Sequence, residues 1–260
     1  MVHFDLPAPI VGLANEHESG FFIVPHQHDS AQLIYATRGV MTVETEDGAW
    51  VVPPERAVWV PAFVTHSIRM TGEVRMRTLY VDPAIAPIEG SHCCVVQVSQ
   101  LLRACIVRFF DIAESWPDDG PDARLVSVLL DEILAAPTAP LHLPSPRDPR
   151  ALRVTEAFRA QPSDRRSIAQ WARVAGAGER TLERLFLAEF GMTFGKWQQQ
   201  ARLLHALELL ASGRSVTEAA LEVGFETPSA FIAMFRRAMG TTPARYFRAE
   251  SERPSTHPLD

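Results

Sequence analysis

Two histidines separated by one residue, His26 and His28, sit in the β-rich run FFIVPHQH. Residues two apart on a strand point to the same face, so the pair would set two imidazoles side by side, as metal ligands or as the polar lining of a pocket. A structural role, with both rings satisfied by backbone near the end of a strand, is the third reading. His92 beside Cys93 and Cys94 is a second cluster, but adjacent cysteines on a strand point to opposite faces, and no site is expected there. The chain's three cysteines make neither a disulfide framework nor the CxxC spacing of a zinc site, and they read as reduced thiols. There is no GxSxG elbow, Walker loop or Rossmann glycine motif, so hydrolase and nucleotide chemistry have no signature here.

The elements that must position such residues divide the chain. Its 260 residues are 47% hydrophobic and 22% charged, ordinary values for a globular protein with one large or two modest cores. No run approaches the roughly 18 apolar residues of a membrane span, and the start MVHFDLPAPIVG lacks the basic flank and apolar centre of a secretion signal. A cytoplasmic protein with no membrane partner is expected. The net charge of −6 hides an asymmetry: residues 1–149 hold nine Arg against 19 acids, whereas residues 150–250 hold 15 Lys and Arg against ten. An acidic domain is joined to a basic one.

Prolines at 137, 140, 144, 146 and 149 mark 137–149 as the interdomain linker. The expected domains are 1–136 and 150–250, with 251–260 a flexible tail. Upstream, short β-rich runs at 21–25, 32–37, 40–46, 50–52, 58–60, 65–70 and 74–81 are separated by Arg38-Gly39, Asp47-Gly48, Pro53-Pro54 and Thr71-Gly72. They predict a small antiparallel barrel or sandwich. Helical periodicity over 99–112 and 123–135 predicts helices that close the barrel or pair two subunits in a homodimer.

Beyond the linker the period is helical throughout. Ser167 with Gln170, and Ser215 with Glu218, are capping boxes that open helices. The two starts belong to a repeat. Ser167, Ile168, Ala172 and Gly176 match Ser215, Val216, Ala220 and Gly224 at an offset of 48, and Leu182, Phe186, Gly191, Thr193 and Trp197 match Phe231, Phe235, Gly240, Thr242 and Tyr246 at 49. One residue is inserted at the turn. Each copy reads helix, glycine-containing turn, helix, the layout whose second helix enters the major groove. A helix over 194–212 would separate the copies by roughly 25–30 Å, near the ~34 Å between successive major grooves on one face of DNA.

The segments GERTLERLF, EFGMTFGKW, RLLHALELLASG and SVTEAALEVGFETPSAFIAMFRRAMGTTPARYFR resemble the AraC/XylS transcription regulators across 150–250. The resemblance implies two recognition helices, 179–190 and 228–239, in adjacent major grooves of an operator duplex. By position, Arg180, Thr181, Glu183 and Arg184 would face DNA from the first; arginine suits guanine O6 and N7, and glutamate suits cytosine N4. The second would present Ser229, Ile232 and Ala233, where the family more often has polar side chains, with Arg236 and Arg237 toward phosphate. Gly178 replaces the usual hydroxyl cap of the first recognition helix.

The stretch from Pro25 to Ile68 resembles a cupin, a small barrel attached to many such regulators. In metal-binding cupins an HxH pair, a nearby Glu and a distant His meet inside the barrel. Here His26 and His28 supply the pair, His66 the distant ligand, and Gln32 stands where the Glu would be. The implied fold class is α+β multidomain: an N-terminal cupin-like antiparallel β-barrel with flanking helices and a C-terminal all-α domain with two helix-turn-helix units. Three imidazoles suit Zn, Ni, Cu or Fe, and family subgroups with this pattern, including regulators of metal or drug efflux, point to nickel or zinc as effector. No cofactor is required, and an organic effector or a structural role stays open. The expected function is sequence-specific, effector-controlled transcription regulation without enzymatic activity, because Gln32 does not provide the facial carboxylate of non-haem iron chemistry. The alternatives are a cupin metal-dependent enzyme and a ligand-free dimerisation module, each fused to the DNA-binding domain.

Overall fold

A computed structural model describes residues 9–112, 117 and 119–251, so nearly all of the expected tail lies outside the described residues. The chain separates into two compact units, residues 1–144 and 145–260. The first is built on β1 (Ile10–His17), β2 (Phe22–His26), β3 (Ala31–Thr45), β4 (Gly48–Val52), β5 (Arg56–Val60), β6 (His66–Val81), β7 (Cys94–Gln97) and β8 (His142–Pro144). All the strand pairings are antiparallel.

Two long strands organise this sheet. Arg38-Gly39 and Thr71-Gly72, expected as turns between strands, lie instead inside β3 and β6. Gly39 has φ +81°, and the β3–β6 register shifts on both sides of Arg38. A bulge of this kind bends a strand and lets the ladder resume beyond it, a distinction invisible to turn propensity. The two halves of β3 therefore take different partners, 32–35 pairing with β5 and 41–45 with β4. Likewise 66–69 of β6 pairs with β2 and 74–81 with β1. Helices α1 (Gln100–Phe109) and α2 (Pro121–Ala135) cover one half of the sheet, packing Leu102, Ile106, Leu129 and Ile133 against Ile10, Leu33, Tyr35 and Trp59.

The segment 137–149 is not the free linker its prolines suggest. Gln97 N–H donates to the Pro137 carbonyl and Ala139 N–H to the Val95 carbonyl, and β8 pairs with the edge of β4. Proline is tolerated on an edge strand because its missing N–H is not needed by a further neighbour. Asp148 and Pro149 already belong to the next helix, as its N-cap and first residue.

The second unit contains α3 (Pro149–Ala160), α4 (Ile168–Ala175), α5 (Glu179–Phe190), α6 (Phe194–Ala211), α7 (Val216–Glu222), α8 (Pro228–Met239) and α9 (Pro243–Ser251). The repeat is its core. Leu182, Phe186 and Trp197 are buried in the first copy, and their counterparts Phe231, Phe235 and Tyr246 are buried in the second. Both capping boxes form.

Gly39→Ala tests the bend. An added Cβ would lie 2.5 Å from the Glu73 carbonyl oxygen at a left-handed φ, so thermal melting should show a loss of about 2 kcal/mol or more. An unchanged midpoint would rule out the bulge as described.

Candidate functional site

Three histidines converge in the sheet unit. His66 opens β6 directly opposite His26 at the end of β2, while His28 lies beyond that strand, so alternation along β2 is not what aligns the pair. One ring nitrogen from each lies within 4.8 Å of the others. His28 and His66 are buried and His26 is partly so. Gln32 joins them from β3, its Oε1 lying 3.0 Å from His28 Nε2 and 3.1 Å from His66 Nε2.

Each ring turns Nδ1 to a backbone carbonyl: Val24 at 2.9 Å for His26, Ser30 at 2.6 Å for His28 and Val64 at 2.9 Å for His66. A carbonyl only accepts, so Nδ1 donates and Nε2 keeps its lone pair. Gln32 is oriented from behind. Its Nε2 donates to Thr78 Oγ1 at 2.9 Å, and the Thr78 hydroxyl donates to the Leu33 carbonyl at 3.0 Å. The amide oxygen is thus the atom aimed at the imidazoles.

This leaves His66 short of positive charge. A neutral imidazole has one proton, yet both nitrogens of His66 face acceptors, and changing tautomer only moves the acceptor–acceptor contact to the other side. A second proton or a cation would relieve it. Burial opposes the proton, lowering His66 to about 4 and lowering His28 too, and the neighbouring imidazoles add to the effect. Beside His66 lies a cavity of about 680 Å³ whose lining includes Phe63, Val64, Glu44, Glu46 and Asp47.

Thr78 and Tyr80, whose ring meets that of His28 edge-on at 5.2 Å, were missed as site residues by sequence reasoning. The signal available was the alternation in 74–81, which puts Thr78 on the same face as Val74, Met76 and Tyr80. His92 pairs with Asp47 at 3.5 Å, and among the described residues His26, His28 and His66 form the one cluster suited to a metal.

The helical unit places the remaining candidates. α4 ends on Gly176 at φ +66° and α7 is followed by Gly224 at φ +88°. Each end makes the equivalent hydrogen bond, Ala177 N–H to Ala172 O in the first copy and Phe225 N–H to Ala220 O in the second. The second turn then runs one residue longer before Thr227 caps α8, whereas Gly178 gives α5 no side-chain cap. Arg180, Glu183 and Arg184 are exposed on α5, and Thr181 is half-buried. On α8, Ser229, Ala233, Arg236 and Arg237 are exposed and Ile232 is half-buried; with Thr242, which the sequence reading placed in the repeat but not among the DNA-facing residues, these five line a concavity of about 570 Å³. Among the described residues Arg180, Arg184, Arg236 and Arg237 take part in no ion pair, in contrast to Arg150 and Arg165.

Comparison with known proteins bears on both units. A helix-turn-helix domain profile matches residues 171–249 and an AraC-like ligand binding domain profile matches residues 8–136. The chain is 34% identical over 221 residues to the HTH-type transcriptional regulator NimR of Escherichia coli K12, covering 85% of this chain and 81% of that one. The chain belongs to the AraC-type transcriptional regulators. The regulator RipA of Corynebacterium glutamicum is 37% identical over 110 residues, 42% of this AraC-type chain and 32% of RipA. Among solved structures, ToxT of Vibrio cholerae aligns over 93% of this chain and 97% of its own at 9% identity and a TM-score of 0.40. The DNA-binding domain of AdpA, solved with a target DNA, aligns over 42% of this chain and 98% of its own at 33% identity and a TM-score of 0.38. No helix among the described residues of this AraC-type regulator is long and apolar enough to cross a membrane.

The depressed His66 sets a pH dependence for the metal-free protein. Between pH 6.5 and about 4 an unfolded His66 binds a proton that the folded one refuses, so stability is full above this window and falls through it as pH drops. His66→Gln should flatten that part of the profile in melts taken from pH 7 to 4; an unaltered slope would show that the ring is not desolvated.

Proposed function

We propose that this AraC-type regulator is a cytoplasmic, metal-responsive DNA-binding protein whose effector is a divalent first-row transition metal, nickel or zinc, held by His26, His28, His66 and Gln32. The observation that carries the proposal is the convergence of one ring nitrogen from each of His26, His28 and His66 within 4.8 Å of one another, with the Gln32 side-chain amide 3.0 and 3.1 Å from two of them. Neutral imidazole nitrogens with a neutral amide oxygen match such a cation by ligand type. The backbone carbonyls on Nδ1 give each histidine the outer partner that fixes a ligating ring. With Gln32 in place of a carboxylate the set is uncharged, which favours reversible binding over catalysis.

His26→Ala with His28→Ala should abolish both the metal-induced rise in melting temperature and the metal response of DNA binding, leaving metal-free DNA affinity unchanged. An equal response in the double variant would sink the metal reading. The adjoining cavity, acidic and apolar by turns, favours a second reading in which a cationic organic molecule is the effector. Metal-free protein whose melting is raised by such a molecule and not by nickel or zinc would decide for it.

For DNA, the proposal assigns base reading chiefly to α5 and backbone grip chiefly to α8. Arg180 and Arg184 flank Glu183 on one exposed face, so a fork-shaped donor and an acceptor are offered together. α8 offers Ile232 and Ala233, suited to thymine methyls, with the polar Ser229 before them and Arg236 and Arg237, suited to phosphates, after them. Arg184→Ala should weaken binding to a selected site by about 1–3 kcal/mol while largely sparing nonspecific duplex, measured by fluorescence anisotropy at fixed salt. Equal loss on both duplexes would move Arg184 to the phosphate contacts.

A further inference from the structure

The loop at 161–167 joins α3 to α4 and so belongs to the first helix-turn-helix unit, yet its bonding runs to the second. Arg202, on the connecting helix α6, donates from Nε to the Pro162 carbonyl at 3.0 Å and from Nη2 to the Asp164 carbonyl at 3.1 Å. Its guanidinium also lies over the Phe158 ring, 5.5 Å from the centroid. The turn of the second unit is seated on the same loop. A Cβ at Gly224 would stand 2.8 Å from Ser163 Cα and 3.2 Å from the Ser163 carbonyl carbon. Two residues along, Glu226 accepts from Arg165 Nη1 at 2.7 Å, just before the cap of α8.

These contacts have a consequence for how two reading helices share one duplex. A single 18-residue helix joining two heads leaves each head free to pivot about its end of that helix. A second, independent attachment removes the pivot. Here the turn leading into α8 is fastened to the loop leading into α4, so α5 and α8 are linked through α6 and again through the loop. We infer that Pro162 to Arg165, Arg202, Gly224 and Glu226 form a clamp that sets the separation and phase of the two half-sites the protein accepts, although none of these residues is assigned to DNA. They are positioning residues, and what they determine is spacing specificity.

The reason lies in duplex geometry. Inserting one base pair moves a half-site by about 3.4 Å and rotates it by roughly a tenth of a turn, which two rigidly linked heads cannot both follow. Two pivoting heads can.

The test is selection of bound duplexes from random-sequence DNA with the full chain, followed by binding to the selected site and to versions carrying one inserted or deleted base pair between its halves. The wild-type chain should enrich a two-part motif of one spacing and bind the altered sites about tenfold or more weakly. Arg202→Lys keeps the charge and stem but lacks the planar fork that spans two carbonyls, and Gly224→Ala drives a methyl into the Ser163 backbone. Each should bind the original and altered sites within about threefold of one another while melting cooperatively. Arg165→Ala with Glu226→Ala, both exposed, removes one arm without touching the core and should give an intermediate ratio.

A wild-type motif with one half only, or one that tolerates insertion, overturns the clamp. So do folded variants that keep the wild-type spacing penalty. If Gly224→Ala does not fold, the ratio for Arg202→Lys decides.

Discussion

A hydroxyl group has one proton to give, and Thr78 gives its proton to the Leu33 carbonyl. It must then accept from Gln32, which turns the amide so that oxygen, not nitrogen, faces His28 and His66. Had the amide presented N–H groups there, the two imidazoles would have found donors and the cluster would be a closed, neutral network. With the oxygen inward, acceptors meet acceptors at the centre of a buried site, where such a mismatch is least screened. The candidate effector site is a consequence of that one donor's commitment.

The commitment depends on the bent strands. Gln32 and Thr78 lie on β3 and β6, in the halves that pair beneath α1 and α2. His66 lies on the other half of β6, which pairs with β2 and brings in His26. A β6 broken at Gly72 would leave these residues on separate elements with no register between them. The continuous strand holds His66 and Thr78 on one rigid ladder, and the bulges at Gly39 turn β3 to stay beside it.

Much of this was legible in the residues, for reasons that also explain the rest. The repeat could be read because its equivalent positions are core positions, where size and apolarity are demanded: Leu182, Phe186 and Trp197 answer Phe231, Phe235 and Tyr246. The His26 and His28 pair was read from strand alternation and His66 and Gln32 from a family pattern, yet His28 stands outside β2, so the pair converges for a reason other than the one that suggested it. Thr78 was not found, because nothing in its own sequence neighbourhood records which long-range partner its hydroxyl serves. Gly39, Gly72 and the prolines of 137–149 misled. The glycines were read by their preference for turns and the prolines as unable to continue a helix or a sheet, while a bulge in a paired strand and an edge strand tolerate the same residues.

The two helix-turn-helix units share a plan and differ in what is built on it. The first receives the chain from the sheet unit: β8 ends at Pro144, and the N–H groups of Arg147 and Asp148 are both held by the Glu189 carboxylate near the end of α5. α5 also carries the arginines and glutamate suited to bases, on a helix whose N-cap Gly178 makes no side-chain bond. The second unit has the better-capped reading helix, opened by Thr227 and Pro228, and offers apolar and phosphate-seeking groups. The helix suited to sequence discrimination is thus the one with the weaker cap, and its Glu189 holds the chain where it enters the unit, while α8 carries the groups suited to grip.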